Sequence, residues 1–579
     1  MYILYQTMKT PNDLFSLAIL LYSILLAIIC PKLRRIDKYF IVVSLCILPV
    51  LAVAIHFVKY GKITFWAHKF LYLEAVVPLI LIFPGKKKAS LFIKSIVSII
   101  MTLVVCVSFI LLSTSSPMVH NYTGYSYTDS FKKMMEVLEK EYCLSSWKKI
   151  DYDSLLREYL PKVEEAEKNN DEVAYSAIIT EVTYRFYDSH VYNFMHSGYF
   201  DCLTCEYLAG NDYGLSLIKT DDGRVIAVHV EDLNDYLYAD SSILSEIGIH
   251  NGTEITSWDG RDINDAINDT ECIYPSLQFP VKSNEDIYRP LFLAGKGDET
   301  VEITFIDDNG KEQSARLKKL GTYDDRLIYT IGNLEHLSTD YPNNFYKMLD
   351  DKCGYLYICS ENFGMFSDDI AVARKGYYPK LVEYYAGIIE NLKAQGMEYL
   401  VVDIRNNHGG YDNVAGAFTS LFTEEKIDMF SMGYEDESGY HITENHYIFP
   451  DGRYKDLPVA VLVNNSCVSA GDGMAKFLGE CPNVILMGIS ASGGVNQSKG
   501  GYIYLTDNIC VEYPVFLSLS SDGEPLIDTD STRENRIPLD VEIPITEKAA
   551  LEIFSLDDAD YELDYAVKYL EEHELNGTN

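Results

Sequence analysis

Two stretches in the second half of the chain share one pattern: an apolar run, a turn, and then apolar residues at helical spacing. The apolar runs are 399–404 and 459–463, and a third run, 484–486, leads into a glycine-containing loop. Short apolar runs predict buried strands, and a spacing of three to four residues predicts helices. Alternating strands and helices favour a mostly parallel sheet, with ligands beyond the carboxyl ends of its strands. We therefore predict an α/β core over residues 321–548, with all three turns on one edge.

Ser469 lies in the turn between the second strand and its helix, whose inner face contains Met474, Phe477 and Leu478. A serine before a helix is most often an N-cap. The same position exposes a hydroxyl at the sheet edge, where unpaired helix N–H groups can stabilise a developing oxyanion. The local sequence leaves both interpretations open, a cap or a nucleophile.

The first 113 residues contain four apolar segments, 14–30, 39–58, 65–83 and 90–113. Each is close to the roughly 20 residues that cross a bilayer as a helix. Lys and Arg are concentrated in the first and third loops, so these loops are predicted to be cytoplasmic. Residues 1–113 are thus expected to form a four-helix membrane region in contact with the lipid bilayer. The residues that follow would then lie outside the cytoplasm, at the cell membrane.

The remaining chain divides by pattern into four further regions. Residues 114–205 are expected to form a linker and a helical cap, 206–320 a β-rich module, 321–548 the core, and 549–579 an acidic, partly helical segment. The predicted fold class is accordingly multidomain: four transmembrane α-helices, then an α+β extracytoplasmic region. His190 ends the helical cap. Taken alone, a histidine there is a packed or solvated residue more often than a base.

Charge and cysteine content exclude several functions. Residues 1–120 carry 12 Lys or Arg and 3 acids, yet the whole chain has a net charge of −37. A surface this acidic repels nucleic acid. The 12 cysteines show no metal-ligand spacing, and Cys202 and Cys205 form a lone pair, either a disulfide or two free thiols. No metal and no cofactor are expected.

The β-rich module resembles a PDZ domain. In residues 248–255 a glycine-rich turn leads into a strand, and an Asp-Gly turn follows at Asp259 and Gly260. PDZ domains bind peptide C-termini by strand addition, with the carboxylate held by backbone N–H groups of a loop. The resemblance places that loop near Tyr213 and Gly214, and implies substrates with free C-termini.

Four motifs together resemble the serine peptidases of the C-terminal-processing (tail-specific) and tricorn-core family. They are 188–190 (DSH), 403–410 (DIRNNHGG), 469–472 (SAGD) and the glycine loop after Gly488. The likeness spans roughly 127–545, with the four motifs in the family's order around a PDZ-like insert. It implies a nucleophilic Ser469 in a membrane-anchored endopeptidase that cleaves protein tails or extended peptides.

The resemblance offers two bases for Ser469, because a serine hydroxyl needs activation. The tail-processing branch uses a lysine in a Gly-Lys-Gly loop, but this chain has Gly493 and Gly494 there, with Lys499 as the nearest lysine. The tricorn-like branch uses a serine–histidine pair, matched by Ser189 and His190, and a later glutamate. Glu534 is the candidate for that glutamate. Its alternative role is a surface carboxylate paired with a neighbouring arginine.

Backbone N–H groups of Gly409 or Gly410 and of Ala470 match the family's oxyanion hole. Glycine lets a substrate carbonyl approach the backbone closely. His408 adjoins these glycines and is a rival base. A catalytically silent relative that binds peptides or apolar ligands in the same cleft is the alternative to a peptidase.

Overall fold

A computed structural model describes residues 118–195, 198–230, 242–275, 277–336, 341–362, 378–555 and 559–574. The chain divides into two compact units, 1–121 and 122–579. Of the first unit, the structure describes the strand β1, Met118–Asn121. The other elements described below belong to the second unit.

The predicted fold class needs a correction at its amino-terminal end. In the described ranges, no helix is long and apolar enough to cross a membrane. The four apolar segments themselves, 14–30, 39–58, 65–83 and 90–113, lie outside the described residues. Four transmembrane helices are therefore not supported, and the described residues form an α+β fold.

The second unit opens with a helical layer, as predicted. Its elements are α1 (Tyr127–Glu141), α2 (Tyr152–Asn169), α3 (Glu172–Tyr184), β2 (Tyr192–Met195) and α4 (Gly198–Ala209). The first helix begins where the Ser126 hydroxyl accepts a hydrogen bond from the N–H of Asp129. Its apolar face, which includes Phe131, Met134 and Leu138, is buried against the other helices. The turn after α3 contains residues 188–190.

A module of short strands and helices follows. Its elements are β3 (Asn211–Asp212), β4 (Ser216–Lys219), β5 (Val225–Val228), α5 (Ser242–Glu246), β6 (Ile255–Trp258), β7 (Arg261–Asp262), α6 (Ile263–Asn268), α7 (Lys282–Leu293), β8 (Thr300–Ile306), β9 (Glu312–Lys318), β10 (Gly321–Thr322) and α8 (Asp324–Leu334). The predicted hairpin is present: β8 and β9 pair antiparallel across a turn in which Asp307 accepts the N–H groups of Asn309 and Lys311. The PDZ resemblance itself is not confirmed.

The core carries the remaining elements. They are β11 (Phe345–Met348), β12 (Cys353–Tyr357), α9 (Pro379–Ala394), β13 (Tyr399–Asp403), α10 (Asp412–Ser420), β14 (Ile427–Asp436), β15 (Gly439–Ile448), β16 (Val459–Leu462), α11 (Ala470–Gly479), β17 (Val484–Gly488), β18 (Ser498–Tyr504), β19 (Ile509–Leu519), β20 (Val541–Glu542), α12 (Glu547–Ile553) and α13 (Tyr561–Glu574).

The core sheet has the strand order β11-β12-β13-β16-β17-β20. All neighbours after β12 pair in parallel, and β11 runs antiparallel at the edge. Helices cover both faces of this sheet. Successive side chains of a strand point to opposite faces, so neighbouring residues of one strand pack against different helices. Leu400 and Val402 pack with helices α9, α10 and α11, whereas Val401 packs with Ala566 and Leu570 of α13. The turns after β13, β16 and β17 consequently meet at one edge, as predicted.

Four of the strands listed above belong to a second sheet. Strands β18, β19, β14 and β15 pair in this order, and β2 of the helical layer pairs with β19. This pairing brings the segment after His190 into the same sheet as the segment after the 488–497 loop. The long β14–β15 hairpin has no buried residue from 432 to 445.

Arg405 fastens the carboxyl end of β13 to the last helix. Its guanidinium is buried and pairs with Asp403 (2.7 Å), Asp560 (2.6 Å) and Glu562 (3.1 Å). Although burial opposes it, Arg405 helps to hold the pKa of Asp560 at about 2. A buried guanidinium with three carboxylate partners is stable only as a complete set.

Arg405→Met should lower the free energy of unfolding by about 3–5 kcal/mol, because it leaves buried carboxylates without their cation. Arg453 is the matched control, since its pairs with Glu383 and Asp451 lie at the surface with the side chain 36% exposed. Arg453→Met should cost about 1 kcal/mol or less. Urea unfolding of the full chain, followed by circular dichroism, measures both. Equal midpoints for the two variants would contradict the structural role given to Arg405.

Candidate active site

Ser469 occupies a strained turn between β16 and α11. Its backbone has φ 62° and ψ −125°, a conformation that residues other than glycine rarely adopt. The residue stands at the N-cap position of α11, but its side chain makes no capping hydrogen bond. Strain of this kind persists where the surroundings enforce it, and it is concentrated at functional sites. The hydroxyl is therefore available for chemistry instead of serving the helix.

Three groups hold this turn in place. The N–H of Ser469 donates to the carbonyl of Val495 (2.8 Å), and the buried carboxylate of Asp472 accepts the N–H groups of Gly494 (3.0 Å) and Val495 (2.9 Å). Asn496 adds a bond from its Nδ2 to the carbonyl of Ser469 (3.0 Å). The glycine loop after β17 thus holds the serine turn in place from one side by hydrogen bonds.

The glycines of 403–410 lie against the serine from the other side. A Cβ on Gly409 would come within 2.7 Å of Ser469 Cβ and 2.9 Å of the Ala470 nitrogen. The Gly409 N–H is engaged, since it donates to Asn407 Oδ1 (2.8 Å). In the part of the chain that the structure describes, the N–H groups of Gly410 and Ala470 have no hydrogen-bond acceptor. Of the three predicted oxyanion residues, these two present donors, and Gly409 provides space.

His190 projects from the turn after α3. Its side chain is buried, and its Nδ1 lies 3.8 Å from Asp188 Oδ1, beyond a hydrogen bond but within reach of an ion-pair contact. Asp188 is wholly buried; it accepts the N–H of His190 (2.8 Å) and the hydroxyl of Tyr142 (2.8 Å). This carboxylate fixes the turn and can stabilise a positive charge on the imidazole.

One cleft of about 620 Å³ collects most of the predicted residues. Its described lining consists of Ser189, His190, Tyr192, Phe194, Leu277, Gln278, Asn362, His408, Gly409, Gly410, Asn465, Ser466, Val468 and Ser469. Ser469, His190, Ser189 and both glycines are therefore brought together, with Ala470 buried just behind. His408 lines the same cleft. Among these described residues there is no Asp, Glu, Lys or Arg, although the chain is strongly acidic.

Glu534 is not brought into this cleft. Its side chain is exposed and does not belong to the lining. The neighbouring arginines pair with other carboxylates, Arg533 with Glu285 (2.7 Å) and Arg536 with Asp530 (2.9 Å). The Arg533 guanidinium also stacks on the ring of Tyr187 at 3.9 Å. The segment around Glu534 thus supports the histidine turn through Arg533.

Lys499, the alternative base, lies in β18, and its side chain is outside what the structure describes. The position where the tail-processing pattern has its lysine is occupied by glycines packed tightly. A Cβ on Gly493 would meet Val468 Cγ1 at 2.5 Å, and one on Gly494 would meet Val281 Cγ2 at 2.9 Å. This loop leaves no room for a side chain there.

Tyr213 and Gly214 do not form an open carboxylate loop. Tyr213 is buried, and its hydroxyl donates to the carbonyl of Asp298 (2.6 Å). The N–H of Gly214 donates to Asp212 Oδ1 (2.7 Å), and Asp212 is itself held by Arg326 (2.8 Å). The chain's own carboxylate therefore takes the N–H that a peptide C-terminus would need.

Asp528 is a buried acid next to Asn496 of the glycine loop, and the sequence did not single it out. Its Oδ2 accepts the N–H of Asn496 (3.1 Å) and Gln497 Nε2 (2.7 Å), while its buried Oδ1 has no hydrogen-bond partner among the described residues. Burial raises the pKa of Asp528 to about 7. No periodicity or motif marks this residue. An acid embedded among apolar neighbours, Leu526 and Ile527, is the one local signal.

A serine on a strained strand-to-helix turn, a histidine in the same cleft and unengaged N–H groups near the serine are the groups that a serine peptidase uses. Residues 365–542 match the model of Peptidase family S41. A 137-residue stretch is 29% identical to the carboxy-terminal processing protease CtpA of Bacillus subtilis (strain 168). That match covers 24% of this chain and 28% of CtpA, little more than a quarter of its length.

Two solved structures resemble the chain along most of their length. Mature CPAF, solved in complex with lactacystin, is 14% identical with a TM-score of 0.45, and the alignment covers 74% of this chain and 96% of that one. The photosystem II D1 C-terminal processing protease is 17% identical with a TM-score of 0.30, over 74% and 98% of the respective chains.

Gly409→Ala should lower kcat/KM by about 100-fold or more. The new methyl group would displace the Ala470 N–H, and this factor is the usual cost of losing one oxyanion donor. The added methyl would push against Ser469 and Ala470, and the backbone at φ +82° disfavours a side chain. Gly387→Ala in α9 is the matched control, because a Cβ there meets nothing within 4 Å. Peptide hydrolysis and a melting curve measure both variants. Wild-type hydrolysis by Gly409→Ala would contradict the close approach described above.

Proposed function

We propose that the chain is an endopeptidase that cleaves extended peptides or protein tails, with Ser469 as nucleophile and His190 as base. His190 would take the proton of the Ser469 hydroxyl as Oγ attacks the scissile carbonyl, and return it to the leaving amine. The N–H groups of Gly410 and Ala470 would hold the oxyanion, and water would release the acyl group. The observation that supports this most is the shared cleft of Ser469 and His190, with the serine hydroxyl not used as a helix cap.

Two observations support His190 over Lys499 as the base. The glycine loop at 493–494 has no space for a lysine, and the histidine turn is held by a buried carboxylate, Asp188. We further propose that Asp528 takes the part expected of Glu534. Asp528 is buried, and it binds the N–H of Asn496, whose side chain binds the carbonyl of Ser469.

The lining of the cleft supports a preference for uncharged substrate side chains. Tyr192, Phe194, Leu277 and Val468 offer apolar surface, with Phe194 44% exposed, and the polar lining is formed by amides, hydroxyls and two imidazoles. A charged side chain would lose water here, and the described lining offers no carboxylate, ammonium or guanidinium group as an ion-pair partner. Action on protein tails rests on the name of the relative CtpA and on the family resemblance. Action outside the cytoplasm stays a prediction from loop charges.

Ser469→Ala and His190→Ala should each lower kcat by roughly 10⁴- to 10⁶-fold, and the double variant should be no worse, because members of one catalytic unit fail together. The β14–β15 hairpin offers a matched control: Ser438 and His441 are hydrogen-bonded to each other (2.9 Å) and to Asp436, but at the exposed surface. Ser438→Ala and His441→Ala should leave kcat unchanged. The assay is hydrolysis of an uncharged, extended peptide.

Two outcomes of that assay would overturn parts of the proposal. An active His190→Ala beside an inactive Lys499→Ala would replace the serine–histidine pair by a serine–lysine dyad. A wild-type chain that binds peptides tightly but cleaves none would favour the catalytically silent relative.

Free-acid and C-terminally amidated versions of one peptide should be cleaved with the same kcat/KM. The reason is that Asp212 already occupies the N–H of Gly214, where a terminal carboxylate would have to bind. Steady-state kinetics on the two peptides measures the ratio. A preference for the free acid of about tenfold or more would instead restore carboxylate capture, as the sequence alone suggested.

A further inference from the structure

Lys148 is a buried cation close to the histidine turn but outside the cleft. It lies in the turns after α1 and is 5% exposed. A buried lysine needs partners, because an unpaired ammonium is costly to desolvate. Its Nζ donates to the carbonyl of Tyr187 (2.8 Å) and to Thr529 Oγ1 (3.2 Å).

These two acceptors belong to the two pieces of the catalytic arrangement. Tyr187 directly precedes residues 188–190, the turn that bears the base. Thr529 donates its N–H to the carbonyl of Gly494 (3.3 Å), in the loop whose Val495 carbonyl accepts the N–H of Ser469. A single ammonium group therefore links the turn of His190 to the loop of Ser469.

The surroundings of Lys148 also balance charge. Asp188 and Asp528 face its ammonium most strongly, with Arg533 and Asp530 further out. Tyr142, Cys143 and His190 face Asp188. Burial raises the pKa of Asp528 to about 7, and Lys148 is the strongest of the groups that oppose this rise. Without the cation, two buried carboxylates would face each other.

We propose that Lys148 is a positioning residue, which sets the distance between the His190 turn and the Ser469 loop and places a positive charge near Asp188 and Asp528. The inference rests on the proposed function, because both pieces act in one reaction. Lys148 is not among the described lining residues of the cleft, and its described hydrogen bonds go to Tyr187 and Thr529. A purely structural lysine would instead affect folding and leave the pH dependence of the reaction unchanged.

The test compares Lys148→Met, Lys148→Arg and Thr529→Val by kcat, KM and the pH profile of kcat/KM. Lys148→Met should lower kcat on the order of 100-fold at neutral pH, with a smaller change in KM, because misplacement of about 1 Å has this cost. The acidic limb of the kcat/KM profile of this variant should move to higher pH. Removing the cation raises the pKa of Asp528, so its carboxyl group ionises only at a higher pH. Lys148→Arg keeps the charge and should keep the limb in place. Thr529→Val should lower kcat without moving the limb.

Arg326→Met is the control for simple loss of stability. Arg326 is also a buried cation, paired with Asp212 in the module, and it contacts none of these groups. Arg326→Met should lower the melting temperature and leave the acidic limb of the kcat/KM profile at its wild-type pH.

Three outcomes decide the inference. A Lys148→Met enzyme with the wild-type profile overturns it, and so does one that loses activity equally at every pH, as a destabilised control would. If Lys148→Met does not fold, wild-type kcat in Thr529→Val overturns the link, and so does a shifted limb in Lys148→Arg. An inactive wild-type chain overturns the proposed function itself, which distinguishes the two failures.

Discussion

The buried carboxylate of Asp472 is the constraint on which the site depends. It lies in the first turn of α11 and accepts two N–H groups of the glycine loop, Gly494 and Val495. Through Val495 the loop then accepts the N–H of Ser469. A serine at φ 62° costs about 1–3 kcal/mol, so such a turn survives only where several bonds enforce it. Asp472 thus converts a helix start, which would favour a capping serine, into a turn that presents the hydroxyl.

The second requirement is to bring a histidine from the helical layer to that serine. Pairing of β2 with β19 carries the chain past the core just after His190. Gln278 bridges the same gap, because its side-chain Nε2 donates to the carbonyl of Val191 (2.6 Å) and its backbone carbonyl accepts a hydrogen bond from Asn465 Nδ2 (3.0 Å). The module between cap and core thereby contributes to the cleft, whatever else it binds. Such buried hydrogen bonds favour one arrangement of the parts over alternatives.

The parallel core and its functional edge could be predicted because buried strands leave short apolar runs, as at 399–404 and 459–463. The β14–β15 hairpin could not, since most of it is exposed on both faces and lacks alternation. Ser469 and His190 were singled out through motifs. Asp528 and Lys148, for which we propose roles, carry no motif, because their contacts are long-range; Glu534 was chosen from local sequence, although Arg533 makes the contacts. The four membrane helices, predicted from the length of the apolar segments and from the loop charges, are not supported by the described residues.

The most direct measurement of the central claim is covalent labelling with a fluorophosphonate, followed by mass spectrometry of the modified peptide. We expect one phosphonyl group per chain, on Ser469, because only a serine with a base and oxyanion donors reacts readily. Labelling should disappear when the chain is unfolded beforehand. A label on another serine of the cleft, such as Ser466, or no label on a folded chain, would contradict the assignment of Ser469 as the nucleophile.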